Sequence, residues 1–233
     1  MGIEDDPAAA AGACAIALAG ETLWLCADRT AWHPASRTLF VADLHLGKAA
    51  SYRALGQPVP SGTTADNLQR LDAAATDRDA ATIVFLGDFL HAAPARQPAV
   101  MEPVVRWRTA HARRRCVLVR GNHDARAGDP PAALEIEVVD EPWTLPGAPA
   151  LRGCHHPQRV AGAGVLAGHW HPAVSLQGPA RDRARLPCFC LLDDLLVLPA
   201  FGAFTGASPR RPPAGSTCYP VGAGRVWGGR AGA

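Results

Sequence analysis

Short apolar runs, each closed by glycine or a polar residue, set the rhythm of the first half of the chain. Residues 14–18 and 22–26 flank Ala19-Gly20-Glu21 and read as a β-hairpin. Residues 38–42 and 82–86 form compact apolar runs of strand length, and 116–120 repeats the pattern. Between them, 63–78 carries apolar residues at helical spacing behind Thr63 or Thr64 as a cap, and 98–114 does so behind Pro98. This strand–helix–strand–helix–strand order predicts parallel strands covered by helices, with any ligand held beyond their carboxyl ends. Past residue 134 the rhythm shortens to strand-like segments at 135–139, 150–154, 164–168, 173–177, 187–192 and 195–198. The chain therefore reads as an α/β protein whose mainly β second half packs against the first.

The residues that close these runs carry the chemistry. Asp43-Leu44-His45 follows the strand at 38–42, and Gly87-Asp88 follows 82–86. Gly121-Asn122-His123-Asp124 follows 116–120, His155 follows 150–154, and Gly168-His169-Trp170-His171 follows 164–168. In extended backbone, residues i and i+2 point to one side, so Asp43 with His45, and His169 with His171, can each reach a single ion. Carboxylate, imidazole and amide groups in this number suffice for two divalent cations. Imidazole mixed with carboxylate suits manganese, iron or zinc better than calcium. Taken singly, each segment is also an ordinary turn or surface histidine. It is their succession, each behind an apolar run, that points to a metal centre. A pair of cations a few ångströms apart suits hydrolysis of phosphate esters, since both the attacking and the leaving oxygen can be clamped.

This series resembles the signature of the calcineurin-like metallophosphoesterase superfamily, spanning Asp43 to His171. The flanks narrow the likeness. Asp43-Leu44-His45-Leu46-Gly47-Lys48, Gly56-Gln57-Pro58-Val59-Pro60-Ser61-Gly62-Thr63, Gly168-His169-Trp170-His171-Pro172, Arg185-Leu186-Pro187-Cys188-Phe189 and the run from Leu198 to Gly206 resemble the PdeM family of ligase-associated DNA damage response endonucleases. That resemblance covers residues 14–206 and implies a two-sheet β-sandwich flanked by helices. It implies one metal held by Asp43, His45, Asp88 and His171, and a second held by Asp88, Asn122, His155 and His169, with Asp88 shared and manganese the expected ion. His123 would stand near the leaving oxygen, oriented by Asp124. At the fourth motif the family pattern has an acidic residue where this chain has His156. Lys48 and Arg53 lie just after the first motif, where a substrate phosphate or the DNA backbone would pass, and His91 would touch the site edge, although a surface ion pair and a buried, hydrogen-bonded histidine account for them equally well. The resemblance also implies DNA as substrate and a functional link to an ATP-dependent DNA ligase and a helicase.

Composition bounds these readings. The chain has 233 residues and 48% apolar content, which fits one core. We expect a flexible leader at 1–12, a metallophosphoesterase domain at 13–207, and a disordered tail at 208–233, where Pro, Gly and Arg dominate. Net charge is only +2, so no bulk field draws the protein to nucleic acid. Arg113-Arg114-Arg115 reads as a solvated helix end. Arg181, Arg183 and Arg185 fit either a phosphate groove or a loop. Aromatic content is 6%, with no interleaved basic and aromatic strip for stacking bases. Seven scattered cysteines without a Cys-x-x-Cys pair argue against a disulfide framework and a zinc knuckle. No secretion signal or apolar run of spanning length is present, which leaves the cytoplasm and no membrane partner.

The function expected is thus hydrolysis of phosphodiester bonds by a dinuclear-metal endonuclease in DNA repair. Two other readings stand beside it. One is a phosphoesterase or pyrophosphatase acting on a small nucleotide or nucleotide-sugar. The other is a non-enzymatic scaffold, which would be expected to have lost ligands that are all present here.

Overall fold

The computed structural model describes residues 12–59, 62–177, 183–208 and 211–231. The expected leader falls almost wholly outside them. The first sheet is built from β1 (Cys14–Leu18), β2 (Glu21–Leu25), β3 (Ala31–His33), β4 (Thr38–Ala42), β5 (Thr82–Leu86), β6 (Arg115–Val119) and β7 (Ile136–Val139), side by side in chain order. Pairing is antiparallel from β1 to β4 and parallel from β4 to β7. The parallel half is crossed by α1 (Lys48–Ala54), α2 (Thr63–Asp77) and α3 (Pro98–Ala110), while α4 (Asn122–Ala127) follows β6 directly.

The second sheet is assembled from β8 (Trp143–Thr144), β9 (Leu151–Gly153), β10 (Gly164–Ala167), β11 (Ala173–Gln177), β12 (Arg183–Leu192), β13 (Leu195–Val197), β14 (Thr217–Gly222), β15 (Arg225–Val226) and β16 (Arg230–Ala231). Its central order is β14-β12-β13-β10-β9. The β9, β10 and β13 strands are parallel, and β12 is antiparallel to both of its neighbours in that order. The architecture is therefore α/β, two mixed sheets flanked by helices, as the sequence led us to expect.

Strand alternation explains the layering. Leu39, Val41, Ile83, Phe85 and Leu118 face the helices, where they meet Leu68 and Leu71 of α2 and Val104 and Trp107 of α3. The intervening positions Phe40, Ala42, Val84, Leu86, Val117 and Val119 face the other sheet and meet Leu151, Leu166, Phe189, Leu196 and Val221. Strands β4 to β6 are buried on both faces, as parallel strands under helices must be. No described helix is long and apolar enough to cross a membrane.

Two expectations fail here. The tail is not wholly irregular: Thr217–Gly222 forms β14, Cys190 lies in register with Cys218, and Phe189 with Tyr219. Val221 and Val226 enter the core between the sheets. The arginine run is not a free helix end either. Helix α3 stops at Ala110, Arg114 donates to the carbonyls of Ala75 and Ala80, and Arg115 opens β6 and pairs with Glu137 at 2.7 Å. Arg183 and Arg185 lie exposed on the β12 stretch paired with β11, and Arg181 falls outside the described residues.

A chain truncated after residue 213 should lose at least ~3 kcal/mol of unfolding free energy, because two buried valines leave the core at ~1.5 kcal/mol or more each. Urea denaturation measures this. Unchanged stability would show that the last strands contribute nothing.

Candidate metal centre

Both sheets aim their parallel strands at one spot. Asp43 and His45 follow β4, Asp88 follows β5, and Asn122 and His123 follow β6; His155 follows β9, and His169 and His171 follow β10. Backbone hydrogen bonds stitch these ends together. His45 N donates to Asp88 O at 2.8 Å, Leu46 N to Phe89 O at 2.9 Å, and Gly168 N to His155 O at 3.1 Å. Side chains then lock the loops. His123 N donates to Asp88 Oδ1 at 2.9 Å, and His169 N donates to Asp43 Oδ2 at 2.9 Å.

The close approach has a backbone cost. Asp43, His45, Asp88, His169 and His171 all adopt positive φ, between 46° and 68°. Left-handed backbone is unusual outside glycine and is retained where surrounding structure enforces it, commonly at functional sites. Two glycines allow the packing. A Cβ on Gly87, itself at φ +78°, would sit 2.0 Å from His155 Nδ1, and one on Gly121 would sit 2.4 Å from Asp88 Oδ1.

Seven predicted ligands converge in two sets. Around His155 Nε2 lie Asn122 Oδ1 at 2.9 Å, His169 Nδ1 at 3.1 Å and Asp88 Oδ1 at 3.5 Å. His155 Nδ1 donates to Leu86 O at 3.1 Å, which leaves Nε2 as a bare lone pair facing these groups. On the other side, Asp43, His45 and His171 bring ligand atoms together, with His171 Nε2 3.4 Å from Asp43 Oδ1. His45 Nε2 is 3.6 Å from Asp88 Oδ2, buried, and without a hydrogen-bond partner. Lone pairs facing one another and an orphaned buried nitrogen fit cations seated between them. Asp88 puts one carboxylate oxygen near each set, and Asp43 also comes close to the second, its Oδ1 4.0 Å from His155 Nδ1.

The electrostatics agree. Asp43 and Asp88 are both buried, and burial together with the Asp43 charge pushes the Asp88 carboxyl up. Burial pushes His45, His155 and His169 down from the ordinary imidazole value, so they stand neutral and able to ligate.

His123 and His91 form the outer rim. Their rings stack at 4.8 Å, and His123 Nδ1 donates to His91 O at 2.7 Å. His123 Nε2 thereby faces Asp88 Oδ2 at 3.9 Å. The expected role of Asp124 is corrected. Its carboxylate does not orient the His123 ring; its two oxygens accept from Leu90 N at 2.9 Å and Gly121 N at 3.0 Å. It is buried, its pKa raised to about 6, and it ties the β5 and β6 loops together. His91 is pushed down to about 4 by burial and by nearby His123 and Lys48, and its Nδ1 lies 3.2 Å from His45 Nδ1.

Lys48 reaches Thr205 O at 3.0 Å, close enough to Asp43 and Asp88 to feel their charge. Arg53 is not part of this cluster; it lines a separate groove with Gln97 and the start of α2. One residue was missed by the sequence. Glu141 accepts from His155 N at 2.6 Å, His156 N at 2.8 Å and His156 Nδ1 at 2.6 Å. It places a carboxylate directly against His156. Nothing in the surrounding sequence marks it, because its partners become neighbours only in the fold.

A model of the calcineurin-like phosphoesterase family matches residues 36–146. The solved structure of Pseudomonas putida nuclease MPE is 45% identical, over 93% of this chain and 99% of that one, with a TM-score of 0.80. The chain belongs to the calcineurin-like phosphoesterase family. YfcE, a phosphoesterase from E. coli, matches at 16% identity and TM-score 0.40 over 83% of this chain and 98% of that one. A protein of unknown function from Aquifex aeolicus matches at 17% and 0.38 over 61% of this chain and 82% of that one. No curated protein sequence matches it significantly. Family membership makes the chain a metal-dependent hydrolase, with histidine and aspartate clusters suited to divalent cations.

Gly87→Ala should displace the His155 ring and weaken manganese binding at least tenfold in calorimetry. Gly162→Ala, whose Cβ meets nothing within 4 Å, should bind as the wild type does. Equal affinities for all three proteins would refute the proposed place of His155.

Proposed function

We propose that this protein is a two-metal phosphodiesterase that cuts nucleic-acid strands, with manganese as its working ion. One observation carries the reading: two groups of ligand atoms, one around Asp43, His45 and His171 and one around Asn122, His155 and His169, meet at Asp88. When bound, a pair of divalent cations supplies Lewis acidity toward the phosphoryl oxygens and toward the attacking water. The likeness to a protein named as a nuclease, over nearly the full length of both chains, supports a polynucleotide substrate. The resemblance of the flanking segments to the ligase-associated family supports a setting in DNA repair beside a ligase and a helicase. Seven free thiols suit a cytoplasmic location.

The chain's own residues would act as follows. Asp88 would help to hold both cations, one carboxylate oxygen lying toward each ligand set. His155 is oriented by Leu86 O through its Nδ1 proton, and Glu141 fixes the backbone before it. His123, its Nδ1 proton committed to His91 O, presents Nε2 toward the reacting phosphate and can carry the proton that the leaving alkoxide takes. Lys48 adds positive charge on the side of Thr205. His91, stacked on His123, holds that ring in place.

Two variants separate these duties. Asp88→Asn should lower manganese-dependent hydrolysis of both single-stranded DNA and bis-p-nitrophenyl phosphate by at least ~100-fold. His123→Ala should cost ~100-fold or more on DNA. The nitrophenyl ester should lose much less, because nitrophenolate leaves without a proton. Full activity of Asp88→Asn on either substrate would remove the two-metal mechanism. Equal losses from His123→Ala on both would remove the proton-donor role. A wild type that cleaves UDP-sugar pyrophosphates and spares DNA would favour the small-substrate reading.

A further inference from the structure

A groove of about 410 Å³ opens beside the metal centre, lined by His169, Trp170, Pro172, Ser208, Arg211, Pro212 and Pro213. We propose that this groove is a nucleotide subsite, in which the Trp170 ring stacks the base next to the scissile phosphate and Arg211 pairs with the following phosphate. This rests on the phosphodiesterase reading above and adds the residues that would tell a nucleotide from any other diester.

The placement comes first. His169 belongs to both the groove and the ligand set, its Nδ1 3.1 Å from His155 Nε2. A strand whose phosphate sits at the ions must continue into this opening or away from it. The far wall is tied to the same ligand loop, since Ser208 N donates to His171 O at 3.0 Å. Groove and metal centre therefore form one continuous surface. Its volume lies in the range of pockets that take small organic groups.

The chemistry comes second. Trp170 stands between two ligands at positive φ, so the backbone around it is held by the centre itself. Trp170, like Val160 and Val174, packs against the apolar cluster on the second sheet that includes Cys154, Cys188, Cys190 and Cys218. It is half-buried and lines the groove. A half-buried indole that packs against a core cluster and borders an open groove is suited to stacking a planar group. Every base offers a π-face to such a platform, so the contact tolerates any sequence. Arg211 is exposed on the same groove and brings the positive charge that a phosphodiester backbone needs. The aromatic ring and the phosphate-pairing cation come from distant parts of the chain, which is why no interleaved strip was visible in the sequence. If Trp170 served only as a cover for the cysteine-rich face, the ring would be explained, but the arginine on the same groove would not.

The test compares a short oligothymidylate with a base-free strand of equal length, both cut in the presence of manganese. Wild type should prefer the base-bearing strand in kcat/KM by ~5–150-fold, the range that one stacked base provides. Trp170→Ala should bring that preference to within about twofold of unity, and Trp170→Phe should restore part of it. Arg211→Ala, which lies outside the ligand loop, should raise KM on both strands more than it lowers kcat and should flatten the salt dependence. A wild-type preference retained in Trp170→Ala, or absent from the wild type, overturns the subsite and leaves the phosphodiesterase reading standing. Should Trp170→Ala fail to fold, an unaltered KM and salt slope in Arg211→Ala, with no change of preference in Trp170→Phe, overturns it too. A wild type that cuts neither strand overturns the phosphodiesterase reading itself.

Discussion

Two carboxylates, Asp43 and Asp88, lie buried within reach of one set of neutral imidazoles, and the rest of the fold is arranged around that fact. Like charges in a medium of low dielectric repel strongly, and an ionised carboxylate without a counter-charge is among the most unfavourable groups to bury. The histidines cannot neutralise them by protonation, since burial pushes His45, His155 and His169 toward the neutral form. Backbone N–H groups of His123 and His169 offset part of the cost. The remaining demand is for positive charge of high density in a small volume. Divalent cations meet it, and the left-handed backbone at five of the contributing residues is tolerable on the same account.

The architecture supplies this arrangement without needing long loops. Each sheet has a run of parallel strands, β4 to β6 in one and β9, β10 and β13 in the other. Parallel strands end together, so their carboxyl ends deliver side chains to one edge. Packing the two sheets face to face through Phe40, Val84, Leu86, Leu166 and Phe189 brings the two edges into contact. The centre is thus built on the most buried elements of the molecule. Its rim follows those strand ends: Lys48 opens α1, His123 lies in the first turn of α4, and His91 and Trp170 lie on loops.

Much of this was legible from the sequence, for reasons that can be named. Thr82–Leu86 and Thr38–Ala42 were read to the residue because both faces are buried and the apolar run is unbroken. The α2 helix was read because its apolar face repeats at helical spacing. Other elements gave weaker signals. Ala31–His33 is three residues long, and Lys48–Ala54 starts behind a left-handed Gly47 with no side-chain cap. The β14 strand was hidden by composition. Its alternation is sound, with Tyr219 and Val221 toward the sheet interface and Cys218 toward the outer face, but glycine and proline around it outweighed five or six residues of pattern. At the site, the motifs gave the ligand candidates and no more. That Asp124 binds loop backbone, that His91 O orients His123, and that Glu141 holds the backbone and ring at 155–156 are facts of tertiary proximity.

The most direct measurement is the anomalous scattering of crystals soaked in manganese chloride. The account predicts two peaks ~3.5–4 Å apart, the usual spacing of such pairs, one on each side of the Asp88 carboxylate. A single peak away from Asp88, or none within reach of it, would contradict it.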